Sequence, residues 1–200
     1  QAVAPGRCCA RLNPGYDFDF AVIGGGSAGY AAARTACDLG LRTAVIDGAE
    51  ELGGLCILRG CMPSKTLIES ANRARAMRRA PEFGLGTGGV SVSAGEIVAR
   101  KRRLITEFAS YRQGQLAAGR FELSRGRAVF ADAHTLLAGD RRVTFATACI
   151  ATGSAIHRLD LFFMEGTGYG TSDEANDVAV VPESLIGPGG GVDVVIARLH

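Results

Sequence analysis

A glycine-rich turn between an apolar run and a helix-like stretch constrains the fold of this chain more than any other feature. The run from Phe18 to Ile23 is typical of a buried strand, and three consecutive glycines follow it. The stretch from Ser27 to Leu39 has small residues at helical spacing, and Arg42 to Asp47 is a second apolar run. This order predicts a βαβ unit, in which the two strands are parallel and the crossover is right-handed.

The turn also has the spacing G-x-G-x-x-G, formed by Gly24, Gly26 and Gly29. The first glycine allows the tight turn, the second lets the backbone approach a pyrophosphate, and the third lets the helix pack on the strand. The pyrophosphate would lie at the positive helix N-terminus, near Ser27 and Ala28. Asp47 ends the second strand, where the ribose-binding acid of a dinucleotide site belongs. The pattern favours a dinucleotide site over a plain turn, but it fits both FAD and NAD.

The rest of the chain predicts a helical layer and a small antiparallel meander. We expect one helix over Pro63–Arg79 and a second from the capping motif at Ser93 to Gly119. The inner face of the second helix would consist of Ile97, Val98, Leu104, Ile105, Phe108 and Leu116. From Phe121 to Ile150 the pattern has the period of strands, with turns at Arg125-Gly126 and Gly139-Asp140. The expected fold is therefore α/β, with a parallel sheet, a helical layer and an antiparallel β-meander.

A cysteine-bearing loop, from Gly53 to Lys65, indicates redox chemistry. Four residues separate Cys56 from Cys61, and in a regular helix their Cα atoms would be about 7.5 Å apart. A disulfide needs a shorter separation, so it would require a distorted turn, which Gly60 can supply. Cys61 lies just before Pro63, which begins the predicted helix, so the helix dipole favours a thiolate there, and Lys65 adds a positive charge. A redox pair is favoured over a zinc site, a structural bridge or two core cysteines.

Charge and hydropathy restrict the partners that we expect. A net charge of +2 argues against nucleic acid, and no apolar run is long enough to span a bilayer, so we expect a cytoplasmic protein. The basic runs Arg73–Arg79 and Lys101–Arg103 are interpreted as solvated helix faces. No metal site is expected. The other candidate residues are interpreted as small apolar core residues (Cys37 and Cys149), tail residues (Cys8 and Cys9) and surface histidines (His134, His157 and His200).

The loop G-G-x-C-x4-C-x-P-S-K resembles the active-site signature of the class I pyridine nucleotide–disulfide oxidoreductases, which include dihydrolipoamide dehydrogenase, mercuric reductase and glutathione reductase. Together with the glycine turn and Ala151-Thr152-Gly153, the resemblance covers about residues 17–154. It implies an FAD-dependent oxidoreductase in which electrons pass between flavin and the cysteine pair. Cys61 would be the flavin-side thiol and Cys56 the interchange thiol, with Lys65 near flavin N5. The implied FAD-contacting residues are Gly24, Gly26, Ser27, Ala28, Gly29, Asp47, Gly54, Cys56, Lys65, Ala151, Thr152 and Gly153.

The resemblance also has limits. Pro188 and Val194 break a second glycine fingerprint, so we expect residues 155–200 to be a connector and a truncated, degenerate start of an NAD(P) domain. The other expected segments are a flexible tail over residues 1–16 and the FAD-binding domain over 17–154. The family's NAD(P) site, its dimer domain and its catalytic His-Glu pair would be missing, which would leave the chain incomplete for turnover.

The expected substrate is a small disulfide or a metal ion, and the family is homodimeric. Two alternative functions remain open. The chain could be a non-catalytic flavin-binding remnant, or a flavin-free thiol relay or metal-binding protein.

Overall fold

The computed structural model describes residues 15–86, 88–156 and 170–178. These residues form two compact units. The first contains residues 15–56 and 108–154, and the second contains 57–86, 88–107, 155–156 and 170–178. Several predictions fall outside the described residues, namely most of the N-terminal tail with Cys8 and Cys9, the strand candidate Pro182–Ile186, the second glycine cluster up to Val194, His157 and His200.

The helices are α1 (Ser27–Asp38), α2 (Leu55–Leu58), α3 (Cys61–Arg79), α4 (Ala94–Ala117) and α5 (Ser172–Ala175), with a 3-10 turn at Ala80–Phe83. The strands are β1 (Phe18–Ile23), β2 (Thr43–Asp47), β3 (Glu122–Arg125), β4 (Ala128–Asp132), β5 (Thr135–Ala138) and β6 (Arg141–Ile150). In the described part of the chain, no helix combines the length and apolar character that a membrane crossing requires.

The first unit contains one sheet with the strand order β3-β2-β1-β6-β5-β4. The pairs β3–β2, β2–β1 and β1–β6 are parallel, whereas β6–β5 and β5–β4 are antiparallel. All five residues of β2 are buried, as expected for a strand covered on both faces of a parallel sheet. The expected α/β fold, with its parallel sheet and antiparallel meander, is confirmed, and it is Rossmann-like.

Strand β6 belongs to both parts of this sheet. Its first residues pair antiparallel with β5, from Arg141 opposite Ala138 to Thr144 opposite Thr135. Its later residues pair parallel with β1, up to Ile150 opposite Ile23. The strand therefore joins the meander to the βαβ unit, and it delivers Ala151 to the carboxyl end of β1.

Two apolar clusters pack on opposite faces of the sheet because successive strand residues point to opposite sides. One cluster contains Ala21, Ile23, Ala44, Ile46, Leu136, Ala138, Val143 and Phe145. The other contains Val22, Val45, Ala33 of α1, Leu116 of α4 and Phe121. Burial of each large side chain contributes about 1.5–3 kcal/mol, so these clusters fix the sheet on which the glycine turn lies.

Helix α1 is stopped as the sequence predicts. Gly40 has φ +84°, and its N–H donates to the carbonyl oxygen of Cys37, while the N–H of Leu41 donates to that of Ala36. This pair of bonds is the Schellman arrangement, which satisfies carbonyls that the helix end leaves unpaired. The helix thus ends on the turn that leads into β2.

Two predictions about strands and helices need correction. Strand β3 was expected in the antiparallel meander, but it pairs parallel with β2, with Ala44 opposite Glu122. Helix α3 begins at Cys61 rather than at Pro63, which is buried in the first turn. A proline is tolerated there because the first N–H groups of a helix have no intrahelical partner.

The predicted inner face of α4 is also partly wrong. Phe108 is 44% exposed, whereas Lys101 and Ala109 are each 4% exposed. Lys101 is therefore not part of a solvated basic run, although its neighbours Arg102 and Arg103 are exposed. The charge of Lys101 can be buried because the ammonium group has two close oxygen partners, which lie in the 170–178 segment.

Candidate functional site

The turn between β1 and α1 is closed so tightly that only glycine fits at two of its positions. A Cβ on Gly24 would lie 2.4 Å from the carbonyl oxygen of Ala151, and Gly24 has φ +103°. A Cβ on Gly29 would lie 1.7 Å from the carbonyl oxygen of Gly24. Both separations are far below van der Waals contact. The first and third glycines of the fingerprint are thus required by backbone packing, as the motif predicts.

The N-terminus of α1 faces outward from this turn. Gly26 caps the helix without a side-chain hydrogen bond, and the first turn contains no acidic residue. Ser27 and Ala28 are exposed. An uncapped helix N-terminus, with its N–H groups and positive dipole, is a suitable place for phosphate groups.

Asp47, at the end of β2, lies beside the glycine turn and also holds it by hydrogen bonds to the backbone. It is 7% exposed. One oxygen, Oδ2, accepts a hydrogen bond from the backbone N–H of Gly25 at 2.7 Å, and Oδ1 accepts one from that of Ala49 at 2.7 Å. The sequence predicts Asp47 as a ribose ligand, but it does not predict these two bonds. They follow from the parallel pairing of β1 with β2, which brings the two strand ends together.

The start of the cysteine loop lies against the glycine turn. Gly54 has φ +77°, and a Cβ on it would lie 2.5 Å from the Cα of Gly26. Leu52 lies two residues before Gly54, and its carbonyl oxygen accepts a hydrogen bond from Nε2 of Gln113 at 3.2 Å. The structure therefore brings together two glycine segments that are separated by α1 and β2 in the chain.

A third segment completes this arrangement at the end of β6. The N–H of Ala151 donates to the carbonyl oxygen of Ile23 at 2.8 Å, which continues the parallel ladder into the turn. Thr152 and Gly153 follow, both exposed, and Gly153 has φ +74°. Ala151 thus lies beside Gly24, so the predicted Ala151–Gly153 segment borders the glycine turn.

The cysteines of the loop lie on two helices. Cys56 is in α2 and is half-buried, whereas Cys61 is the first residue of α3 and is exposed. Helix α3 begins after Gly60 without a side-chain cap and with no acidic residue in its first turn. Lys65 is exposed one turn later. Cys61 therefore lies at the positive end of the dipole of α3.

Two hydrogen bonds to one carbonyl oxygen hold the segment that carries Cys61. The hydroxyl of Ser64 donates to the carbonyl oxygen of Gly60 at 2.9 Å, and the backbone N–H of Ser64 donates to the same oxygen at 3.2 Å. These bonds fix the first turn of α3 around the residue that precedes Cys61.

Cys37, Cys149 and His134 lie outside the glycine turn and the cysteine loop, in surroundings typical of structural residues. Sγ of Cys37 donates to the carbonyl oxygen of Arg120 at 3.2 Å, and Cys149 is a half-buried residue of β6. His134 is an exposed turn residue, as expected. Within the described ranges, no group of three or more histidine, cysteine or acidic side chains is arranged to hold a metal ion.

Sequence interpretation missed the buried ammonium group of Lys101. It donates to the carbonyl oxygen of Asn176 at 2.8 Å and to Oδ1 of Asp177 at 2.7 Å. A signal was available, because Lys101 lies three residues from both Val98 and Leu104, on the apolar face of α4.

Comparison with known proteins agrees with this arrangement. The sequence profile of the family described as Pyridine nucleotide-disulphide oxidoreductase matches residues 18–192. A dihydrolipoyl dehydrogenase of Bacillus subtilis is 34% identical over 189 residues, covering 88% of this chain and 40% of that protein. The dihydrolipoyl dehydrogenase of Haemophilus influenzae is 33% identical, covering 86% and 37%. A mercuric reductase of Bacillus cereus is 29% identical, covering 88% and 28%.

The chain spans 40% or less of the length of each of these relatives. The match extends over the glycine turn, the cysteine loop and the end of β6, which are the segments whose geometry is described above. On the extent of this match, the chain belongs to the pyridine nucleotide-disulphide oxidoreductase family.

Proposed function

We propose that this chain is the flavin-binding part of an FAD-dependent dithiol/disulfide oxidoreductase, in which electrons pass between FAD and the Cys56–Cys61 pair. The close approach of Gly54 to Gly26 carries this proposal. It joins the segment that leads into the cysteines to the turn that would hold a pyrophosphate. Cys56 follows Gly54 by two residues, so the chain reaches a thiol directly after this contact.

The residues around the turn fit a dinucleotide. Two glycine backbones meet there without Cβ atoms, and the uncapped first turn of α1 at Ser27 and Ala28 can receive the pyrophosphate. Each oxygen of Asp47 accepts one backbone N–H and retains a second lone pair, so a ribose hydroxyl can donate to the same carboxylate. We assign the remaining contacts to the segment Ala151–Gly153 and to Lys65.

The chemistry of the protein's own residues is thiol–disulfide exchange. FAD, when bound, supplies a two-electron acceptor and donor for the pair. The Cys56 thiolate attacks a substrate disulfide and releases one substrate thiol. Cys61 then attacks the mixed disulfide at Cys56, which releases the second thiol and forms the Cys56–Cys61 bond. The substrate gains two electrons and two protons, and the pair loses them; the reverse direction reduces the pair.

The names of the relatives support the class of substrate. They are dihydrolipoyl dehydrogenases and a mercuric reductase, which favours a small dithiol or disulfide, or a soft metal ion that thiolates bind well. We propose NAD(P) as the second electron partner and a homodimer as the active assembly of the longer proteins. For this chain the proposal concerns the half-reaction between FAD and the cysteine pair.

An absorption experiment tests the proposal. The purified chain is incubated with FAD, freed of excess cofactor and titrated with dithiothreitol, while its visible spectrum is recorded. We expect a bound-flavin spectrum that gains a long-wavelength band as the pair is reduced, because the Cys61 thiolate would lie beside the flavin. Cys61→Ser should retain FAD with nearly unchanged affinity but lose this band.

Cys149→Ser is the matched control, because this half-buried cysteine lies in β6 and should leave both FAD binding and the band unchanged. Two outcomes would contradict the proposal. A flavin-bound protein with no response to dithiol would support a non-catalytic remnant. A protein that takes up no FAD but still cycles its thiols would support a flavin-free relay.

A further inference from the structure

A polar cluster in the second unit, in which Lys101 and Asn176 are buried, contacts the chain between the two cysteines. Its members are Arg59, Lys101, Asp173, Asn176 and Asp177, which lie in the α2–α3 connection, in α4 and in the segment that contains α5. The proposed function assigns no role to this cluster. Its partners are far apart in sequence, since Asn176 lies 117 positions after Arg59 and 75 positions after Lys101.

Lys101 fixes the backbone of the 176–177 segment. Its ammonium group donates to the carbonyl oxygen of Asn176 at 2.8 Å and to the carboxylate of Asp177 at 2.7 Å, and its side chain is 5% exposed. A buried ammonium group is costly unless it is paired and hydrogen-bonded, so these contacts strongly restrict its position. Arg102 reaches the same oxygen of Asp177 at 3.0 Å, but it is 65% exposed and does not bond to Asn176.

Asn176 transmits this restraint to the cysteine loop. It is 5% exposed, and its Nδ2 donates to the carbonyl oxygen of Arg59 at 3.3 Å. Among the described residues its Oδ1 has no hydrogen-bond partner, so the bond to Arg59 is the contact that this side chain makes. The guanidinium group of Arg59 also lies 3.8 Å from the carboxylate of Asp173. Arg59, which lies between Cys56 and Cys61, is therefore held at its carbonyl, and its exposed side chain adds a weaker ion pair.

Resting on the proposed function, we propose that Lys101 and Asn176 are positioning residues for the redox-active loop. By fixing the backbone at Arg59, they hold the loop in a conformation from which the two thiols close readily into a disulfide. A loop without this restraint would sample more conformations, and the chance that the two thiols meet would fall. The disulfide would then be easier to reduce.

The test compares the disulfide–dithiol equilibrium of the pair in Lys101→Met, Asn176→Ala and the unaltered chain. Each protein is equilibrated in glutathione buffers, where two glutathione thiols become one glutathione disulfide as the Cys56–Cys61 bond opens to two thiols. Alkylation and mass spectrometry of the peptide that contains both cysteines give the equilibrium constant. We expect the equilibrium constant of both variants to shift about tenfold toward the dithiol. This corresponds to a rise of about 30 mV in the reduction potential of the cysteine pair.

Arg102→Met is the matched control, because it removes only the exposed partner of Asp177, and its equilibrium constant should stay at that of the unaltered chain. Circular dichroism and thermal unfolding of every protein separate a loss of stability from a change in the thiol equilibrium. If Lys101→Met does not fold, the equilibrium constant of Asn176→Ala alone tests the inference, since this variant removes a single side-chain hydrogen bond.

Equal constants in all four proteins would overturn the inference and leave the proposed function standing. Lower stability with an unchanged constant would do the same, because the cluster would then serve the fold alone. If the unaltered chain forms no Cys56–Cys61 disulfide at any glutathione ratio, the proposed function fails and this inference fails with it.

Discussion

The two units hold their functional segments in different ways. In the first unit, the glycine turn is held mainly by close contacts between backbone segments. Gly24 packs on Ala151, and Gly54 packs on Gly26. In the second unit, the chain at Arg59 is held by polar side chains, through Asn176 and Lys101. Backbone packing tolerates no added atom, whereas a polar cluster depends on the charge and protonation of its members. The two units should therefore respond to different perturbations.

The largest effect is expected from Gly29→Ala in the first unit. The added Cβ would lie 1.7 Å from the carbonyl oxygen of Gly24, so β1 and α1 must separate. We expect the free energy of unfolding, measured by urea titration, to fall by about 3 kcal/mol or more, with loss of FAD binding.

Gly114→Ala is the control, because Gly114 lies in α4 and a Cβ there meets no atom within 4 Å. This change should raise the free energy of unfolding by up to about 1 kcal/mol. Equal losses in the two variants would mean that close backbone contact does not distinguish the turn from an ordinary helix position.

A smaller effect is expected from Asp47→Asn, which tests whether the turn also depends on charge. The amide can accept from only one of the two N–H groups that now bond to the carboxylate, those of Gly25 and Ala49. Because hydrogen bonds to charged groups are the stronger ones, we expect a loss of about 1.5–3 kcal/mol in the free energy of unfolding. FAD affinity, measured by fluorescence titration, should fall as well.

The control for this change is Asp38→Asn, which weakens an exposed contact with Arg120 and should cost about 0–1 kcal/mol. An Asp47 variant as stable as this control would show that backbone packing alone holds the turn.

The smallest effect concerns pH and the second unit. The pKa of Asp177 is lowered from its ordinary value of 3.8, chiefly because Lys101 donates a hydrogen bond to it, with a further contribution from Arg102. A carboxyl whose pKa is depressed by folding stabilises the protein above its unfolded pKa, and this stabilisation is lost as the pH falls through the folded pKa. Acid should therefore loosen the cluster at pH values below about 3.8.

Urea titrations at a series of pH values test this expectation in the unaltered chain and in Asp177→Asn. The free energy of unfolding should fall more steeply below pH 4 in the unaltered chain, since only that chain can lose the charge of Asp177. Parallel curves would mean that the bond between Lys101 and Asp177 adds nothing to stability.

The sequence predicted the first unit better than the second, for a physical reason. Strand β1, helix α1 and the glycine turn are specified by residues that are close in the chain, and Gly24 and Gly29 are required where they stand. The two hydrogen bonds that Asp47 accepts depend on strand pairing, which the sequence does not show. Its position at the end of a strand, however, can be predicted from the sequence. The parallel pairing of β3 was not visible, because its partner β2 lies far away in sequence and a short strand has the same pattern in either direction.

In the second unit the sequence predicted helices but not what holds them. The burial of Lys101 depends on Asn176 and Asp177, which lie 75 and 76 residues away. No local period connects them. The spacing of Lys101 from Val98 and Leu104 places it on the apolar face of α4, but it does not identify the oxygens that pair with the ammonium group. The same applies to α5, a single helical turn whose contact with Arg59 is a tertiary one. The roles of the cysteines, of Lys65 and of the cofactor contacts remain predictions.

The central position of β1 has a consequence for synthesis of the chain. One edge of β1 pairs with β2, which follows after α1, but its other edge pairs with β6, and Phe18 lies opposite Phe145, 127 residues later. At roughly 5–20 residues per second, a ribosome takes about 6–25 s to add that intervening length. During this interval the open edge of an apolar strand can pair with other chains. Chaperone binding early in translation should therefore matter more for this fold than its small sheet suggests.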